Sequence, residues 1–388
     1  CLLIPGAHIT PNVLPATLAI GELAGSRGKN LILAVALSHE ISTRLAGAMS
    51  PHREFVTEGN DKGRVVYGNS YGYGSCIFGG IAGGAKLLGF DADKITQAMG
   101  TAGYFTPVGH YYKHVNTIPM GMAKYLSAGW ISLAEMAALN LTQLGYYGDQ
   151  DVLDGEFGFW KFYGSRKWEP ERVIEGLGEV WNLTKTIYKP YPMCGGVFVG
   201  MECFIDIIDK NSLKPDDIQE VIMWTDPLFE NTVYRNKNLR TEIEAQFSFA
   251  YAYALAAHRI KPGIEWQSIN NVHSQELRQF MDKVKVITDP SFATKIIGSV
   301  TSQDPKKRWH TKVEVKARGG GNFTGEKTFA KGNPAIEETR MTDVELAKKF
   351  KENASNALVW NSLDDIVDRI FNLEKERDIS SFMVCLHT

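Results

Sequence analysis

The chain has 388 residues, 44% of them hydrophobic and 22% charged, with 42 Lys+Arg against 44 Asp+Glu and a formal net charge of −2. That length accommodates two domains and a sizeable core. The charge balance gives no global field for nucleic acid or an anionic membrane, and no uninterrupted apolar run reaches the length of a membrane span. Five scattered cysteines (Cys1, Cys76, Cys194, Cys203, Cys385), without C-x-x-C spacing, argue against a disulfide framework, a zinc site or an iron–sulfur cluster and fit a reducing cytoplasm.

The chain opens at Cys1-Leu2-Leu3-Ile4, with no initiator Met, signal-peptide pattern or polar lead-in, so further N-terminal residues are expected before it. Residues 11–50 predict helices, with Pro11 and Pro15 near a helix start and apolar residues at helical spacing through Ala36, Leu37, Ile41 and Leu45. Residues 68–109 hold eleven glycines mixed with Ala82, Ala85, Leu87 and Leu88. Glycine weakens a helix but permits close backbone approach, so a small-residue helix buried between other helices is expected there. No G-x-G-x-x-G follows a strand and no G-K-[ST] closes a P-loop, which disfavours a nucleotide site. Residues 120–145 read as another helix with a small apolar face, and Asp154-Gly155-Glu156 as a turn into aromatics.

The pattern changes after about residue 184. Val221-Ile222-Met223-Trp224 reads as a buried strand, and Lys312-Val313-Glu314-Val315-Lys316 alternates like a half-exposed one ending at Gly319-Gly320-Gly321. Helical stretches are expected at about 196–209, 242–258 and 274–283. From about 341 the chain returns to charged amphipathic helix. The fold class is therefore mostly α with an α+β insert: a helical part (1–184), an α+β module (185–338), and C-terminal helices (339–388) that pack back onto the first part.

Several side chains are candidates for chemistry. Lys189 heads Lys189-Pro190-Tyr191-Pro192-Met193-Cys194, where two prolines fix φ and stiffen the segment. A lysine held in such a segment loses little entropy on meeting an anion. His8 precedes a helix start, where a histidine can face a cleft and serve as a general acid or base. Lys124 opens a helix of small and apolar residues and is either snorkelled or a partly buried cation for a carboxylate ligand. Tyr251 lies in a dense aromatic run, where a hydroxyl at a pocket edge donates a hydrogen bond or a proton. His114, beside Lys113, and Arg308, in Lys306-Lys307-Arg308, are weaker candidates, and His39 reads as a satisfied core residue. No H-E-x-x-H, G-x-S-x-G or clustered His/Cys set is present, which disfavours zinc and serine hydrolases.

Taken in order, these segments resemble the MmgE/PrpD family, which includes 2-methylcitrate dehydratase, cis-aconitate decarboxylase and iminodisuccinate epimerase. His8 with Leu14-Pro15-Ala16 resembles the family's H-P-x-x-x-x-L-P-A helix start. Phe78-Gly79-Gly80 through Ala85-Lys86-Leu87-Leu88-Gly89-Phe90 resembles its Gly/Ala-rich helix. Lys124 stands five residues before Gly129-Trp130, as the family lysine does; Lys189-Pro190-Tyr191-Pro192 matches the K-x-Y/F-P signature; Ser248-Phe249-Ala250-Tyr251 resembles S-F/L-x-Y. Two departures accompany the match. The acidic D-x-D-D stretch that precedes the His8 position in the family is not in this chain, and Ser70 or a neighbour stands where many members carry a histidine.

The resemblance implies a large helical domain formed by both chain ends, a smaller α+β lid, and a homodimer. It places a site between body and lid that uses no metal and no cofactor. It implies a lyase for a small di- or tricarboxylate, with His8 as general acid/base, Lys124 and Lys189 as carboxylate-binding cations, Tyr251 as proton donor, and Ser70, His114 and Arg308 as substrate-binding residues. A 2-methylcitrate dehydratase-like hydro-lyase is the favoured activity. Decarboxylation, epimerisation and a non-catalytic polycarboxylate-binding paralogue are the alternatives.

Overall fold

The computed structural model describes residues 8–386 apart from 50–52, 57–58, 61, 68–72, 108–110, 124–125, 294–308, 356 and 358–362. Ser70, Lys124 and Arg308 lie outside the described residues. The protein is mostly helical with a small mixed sheet.

The first half is built on α1 (Thr10–Leu23), with a proline in its first turn, and α2 (Gly28–Ala48). A short antiparallel pair follows, β1 (Arg53–Phe55) with β2 (Val65–Tyr67), in register Glu54↔Val66. The glycine-rich stretch forms α3 (Cys76–Leu87), then α4 (Ala92–Phe105), α5 (Tyr111–Val115) and α6 (Leu126–Gln143). The glycines of α3 fall in two i, i+4 rows, which put them on two helix faces. A Cβ at Gly79 or Gly83 would collide with Ser42 and Ser38 of α2, and one at Gly80 or Gly84 with Glu135 and Leu139 of α6. Glycine is therefore what lets α3 lie between two helices at backbone contact. Val13, Ile20, Leu45, Phe78, Ile81, Ile131 and Leu139 form the core of this half.

The second half begins after residue 195. The helix α7 (Phe198–Lys210) leads into β3 (Ile218–Thr225), whose Ile218, Val221, Met223 and Thr225 are buried. The expected helix over 242–258 is two pieces, Glu242–Ala245 and α8 (Phe249–Ala257). Ser248 makes the break: its Oγ accepts from the Tyr251 N–H at 3.3 Å and donates to the Asn236 carbonyl at 2.6 Å, a helix N-cap in the middle of the predicted run. After α9 (Gln275–Asp282) come β4 (Val284–Thr288), β5 (Thr311–Ala317) and β6 (Asn322–Lys327). The sheet order is β4-β3-β5-β6, with β3 and β4 parallel and the other pairs antiparallel. A Cβ at Gly325 of β6 would press on Cys203 of α7, so the helix lies directly on that strand. The aromatic run around Tyr251 fills a second core, which also takes in Val115 and Met120 from beyond α4.

At the C-terminus, α10 (Asp343–Ala354) starts at a Thr342/Glu345 capping box. It contacts the second half, through Lys331–Glu345 at 2.8 Å and Lys261–Glu352 at 2.7 Å. The later elements, α11 (Leu363–Phe371) and α12 (Ser380–Val384), stand by the first half. The Gly28 N–H donates to the Glu376 carbonyl and the Ile379 N–H to the Ser26 carbonyl, each at 2.9 Å.

By length and composition α2 is apolar enough to cross a membrane, although Lys29, His39, Glu40 and Arg44 interrupt its apolar run. It buries Ser38, His39, Glu40, Ser42, Thr43 and Arg44 within the protein. A core helix meets the apolar criterion for the same reason a membrane helix does.

Candidate functional site

Residues 186–194 run without regular structure to the start of the turn before α7, and they present Lys189. The prolines at 190 and 192 restrict φ, and the neighbours hold the segment on both sides. The Tyr188 N–H donates to the Gly332 carbonyl at 3.0 Å. Gly332 has φ +91°, and a Cβ there would strike the Tyr188 carbonyl, so only glycine fits. Gln267 Nε2 donates to the Pro192 carbonyl at 2.8 Å, and the Cys194 N–H donates to the Gln246 carbonyl at 2.8 Å. The Tyr191 ring stacks on Trp266, with centroids 5.4 Å apart and planes at 11°.

This segment lines an open cleft of about 560 Å³, closed on the far side by α10. Five lysines line it (Lys189, Lys261, Lys331, Lys348, Lys349) against two glutamates, Glu345 and Glu352. The two glutamates are engaged by Lys331 and Lys261. Lys189 and Lys349 are half-buried, and among the described residues neither has a carboxylate partner. Lys189 Nζ donates to the Met193 carbonyl at 3.2 Å, and Lys349 Nζ donates to the carbonyl of Lys189 itself. Burial lowers the pKa of Lys189, opposed by nearby Cys194; burial and then the Lys189 charge lower that of Lys349. A cleft carrying this surplus of cations attracts a small polyanion.

Behind the cleft, Glu202 accepts the Lys331 N–H with both oxygens, at 3.0 and 3.1 Å, and lies 3.6 Å from Lys327 Nζ. Burial raises the Glu202 pKa, and Lys327 works against that rise. Burial, followed by the Glu202 charge, pushes the Tyr191 phenol up.

The other sequence candidates stand elsewhere, and His8, His114 and Tyr251 are not among the residues lining this cleft. His8 is half-buried before α1, edge-on to Tyr73 at 5.6 Å, with its carbonyl accepting from Asn12 Nδ2 at 2.6 Å. His114 packs edge-on against Phe247 at 5.9 Å, where α5 meets the second core. Tyr251 corrects the expectation of a hydroxyl at a pocket edge. It is 0% exposed, its hydroxyl donates to the Trp266 carbonyl at 2.9 Å, and burial pushes its pKa up. It stands one layer behind the cleft, holding the main chain of Trp266, on whose indole Tyr191 stacks. His39 is buried with Nδ1 on the Val35 carbonyl and Nε2 on Thr10 Oγ1, at 2.8 and 2.9 Å.

Lys261, Lys331, Lys348 and Lys349 escaped the sequence reading. On an amphipathic helix such as α10, a lysine reads as a solvated face, and only the fold brings it beside Lys189. Among the described residues, no group of three or more His, Cys, Asp or Glu could hold a metal ion.

Comparison with known proteins gives the chain its relatives. The family model of the MmgE/PrpD N-terminal domain matches residues 3–171, and that of the MmgE/PrpD C-terminal domain matches residues 191–372. The human (Homo sapiens) cis-aconitate decarboxylase is 23% identical over 395 aligned residues, covering 97% of this chain and 73% of the relative. Lys189 falls between the two matched ranges, two residues before the second. With both domain families matched in order along nearly its whole length, the chain belongs to the MmgE/PrpD family.

Proposed function

We propose that this protein is a lyase for a small di- or tricarboxylate, removing a proton next to a carboxylate, with dehydration of a citrate-like acid as the favoured reaction. One observation carries the proposal: a stiffened segment presents the half-buried Lys189 to a lysine-rich cleft in which, among the described residues, no carboxylate neutralises it. Lys189 and Lys124 would bind substrate carboxylates and stabilise the enolate-like charge as the α-proton leaves. His8 would take that proton and return one to the departing hydroxyl, which leaves as water. The C–H electron pair forms the new C=C bond as the C–O bond breaks. No step is assigned to a metal or cofactor. The proposal includes a helical body from both chain ends, an α+β lid and a homodimer, so that His8 and Lys189 face one substrate when the site is assembled.

Decarboxylation is the second reading, favoured by the name of the human relative. There the pair of the broken C–C bond stays on carbon as carbon dioxide leaves, the same lysines would stabilise that carbanion, and a protonated His8 would quench it. Proton NMR of the full chain with 2-methylcitrate, cis-aconitate and iminodisuccinate separates these outcomes. Loss of water from 2-methylcitrate supports the hydro-lyase, and carbon dioxide loss from cis-aconitate the decarboxylase. Epimerised iminodisuccinate would point to the third family activity, and binding without turnover to a non-catalytic paralogue.

A further inference from the structure

We infer that Lys349 of α10 joins Lys189 in a two-ammonium subsite that selects ligands carrying at least two carboxylates. This rests on the proposal that the Lys189 cleft binds a carboxylate substrate. It adds a residue that neither the sequence motifs nor the family match identifies.

The division of labour among the cleft lysines is the basis. Lys331 and Lys261 are neutralised by Glu345 and Glu352, and Lys348 is exposed. Lys189 and Lys349 are half-buried, and their ammonium groups donate to main-chain carbonyls. An ammonium has three donors, so each retains donors after its one carbonyl bond. The bond from Lys349 to the carbonyl of Lys189 also holds the two residues together, across 160 positions of sequence. Burial disfavours the charged form of both, and the Lys189 charge works further against that of Lys349. A ligand with two carboxylates relieves both charges at once, whereas a monocarboxylate relieves one. The subsite therefore reads carboxylate number.

Isothermal titration of the full chain with tricarballylate, succinate and propionate tests the inference. Lys349→Gln is expected to raise the Kd for tricarballylate and succinate by about tenfold or more, the effect of losing one charge-assisted contact, and to leave propionate unchanged. Lys349→Arg, which keeps the charge, should retain the preference. The inference is overturned if Lys349→Gln weakens all three acids equally or none of them. Lys189→Gln keeps the two levels apart. Unchanged tricarballylate binding in that variant removes the carboxylate cleft itself, while loss there with full binding in Lys349→Gln removes only the role of Lys349. Should Lys349→Gln fail to fold, salt titration of the unmodified protein decides. Tricarballylate binding must weaken more steeply with ionic strength than propionate binding, and equal slopes overturn the inference.

Discussion

The carboxyl of Glu135 rests on the α-carbon of Gly80, where a Cβ would overlap its Cδ. Glu135 is 0% exposed, and neither of its oxygens has a hydrogen-bond partner among the described residues. Burial raises its pKa well above the ordinary carboxylate value. The native state thus holds a proton that the unfolded chain releases near pH ~4.3. Stability from this group is highest below that pH and falls as pH rises toward the raised native value. Glu135→Met is expected to stabilise the protein by about 1–3 kcal/mol near neutrality, by removing an unsatisfied buried polar group. Urea melts should show the gain shrinking as the pH falls to about 4.3, and a gain independent of pH would contradict the assignment.

Two helix glycines, Gly79 of α3 and Gly129 of α6, predict opposite outcomes on substitution by alanine. Gly79→Ala drives a methyl into Ser42 and the Ser38 carbonyl of α2, and should cost about 1–3 kcal/mol by overpacking. Gly129, in α6, has nothing within 4 Å of the place an added methyl would take, so Gly129→Ala should stabilise by about 0.5–1 kcal/mol through helix propensity. Chemical denaturation of both variants checks the sign of each.

Arg44 ties the chain that leads to the Lys189 segment onto α2. Its guanidinium bonds Glu40 at 2.7 Å and donates to the carbonyls of Val173, Glu175, Gly176 and Val180, while Glu40 accepts from Asn182 and the Leu183 N–H. Both charged side chains are buried. Arg44→Met leaves Glu40 with an uncompensated buried charge and should cost about 3–5 kcal/mol, read as a lowered denaturation midpoint.

Tyr251→Phe distinguishes wall from chemistry. The variant loses the hydrogen bond to the Trp266 carbonyl and should lose about 1 kcal/mol of stability. Because the hydroxyl faces the core, turnover should change little. A fall in kcat of about 10²-fold or more with an unchanged melting temperature would restore Tyr251 as a proton donor.

Much of the fold was legible where the pattern is long. The α2 periodicity, the small-residue helix α3, the apolar run of β3 and the alternation in β5 all announce themselves through period and composition. Shorter features did not. The strands β1 and β2 have three residues each, too few to show a period. Val284–Thr288 becomes β4 only because Val221 of β3 lies beside Val284, a pairing far apart in sequence. The capping role of Ser248 was hidden inside an apolar helical run. At the site, the two prolines marked Lys189 in the sequence. Its companion Lys349 could not be marked, because a carbonyl bond spanning 160 residues leaves no local pattern.

The kcat/KM of Lys189→Met, measured on whichever acid the unmodified protein turns over, is the most direct test of the central claim. Loss of the ammonium removes both carboxylate binding and stabilisation of the developing charge. The expected fall is about 10³-fold or more, with thermal melting showing that the variant is folded. A folded Lys189→Met that retains full turnover would show that this cleft is not where the chemistry is done.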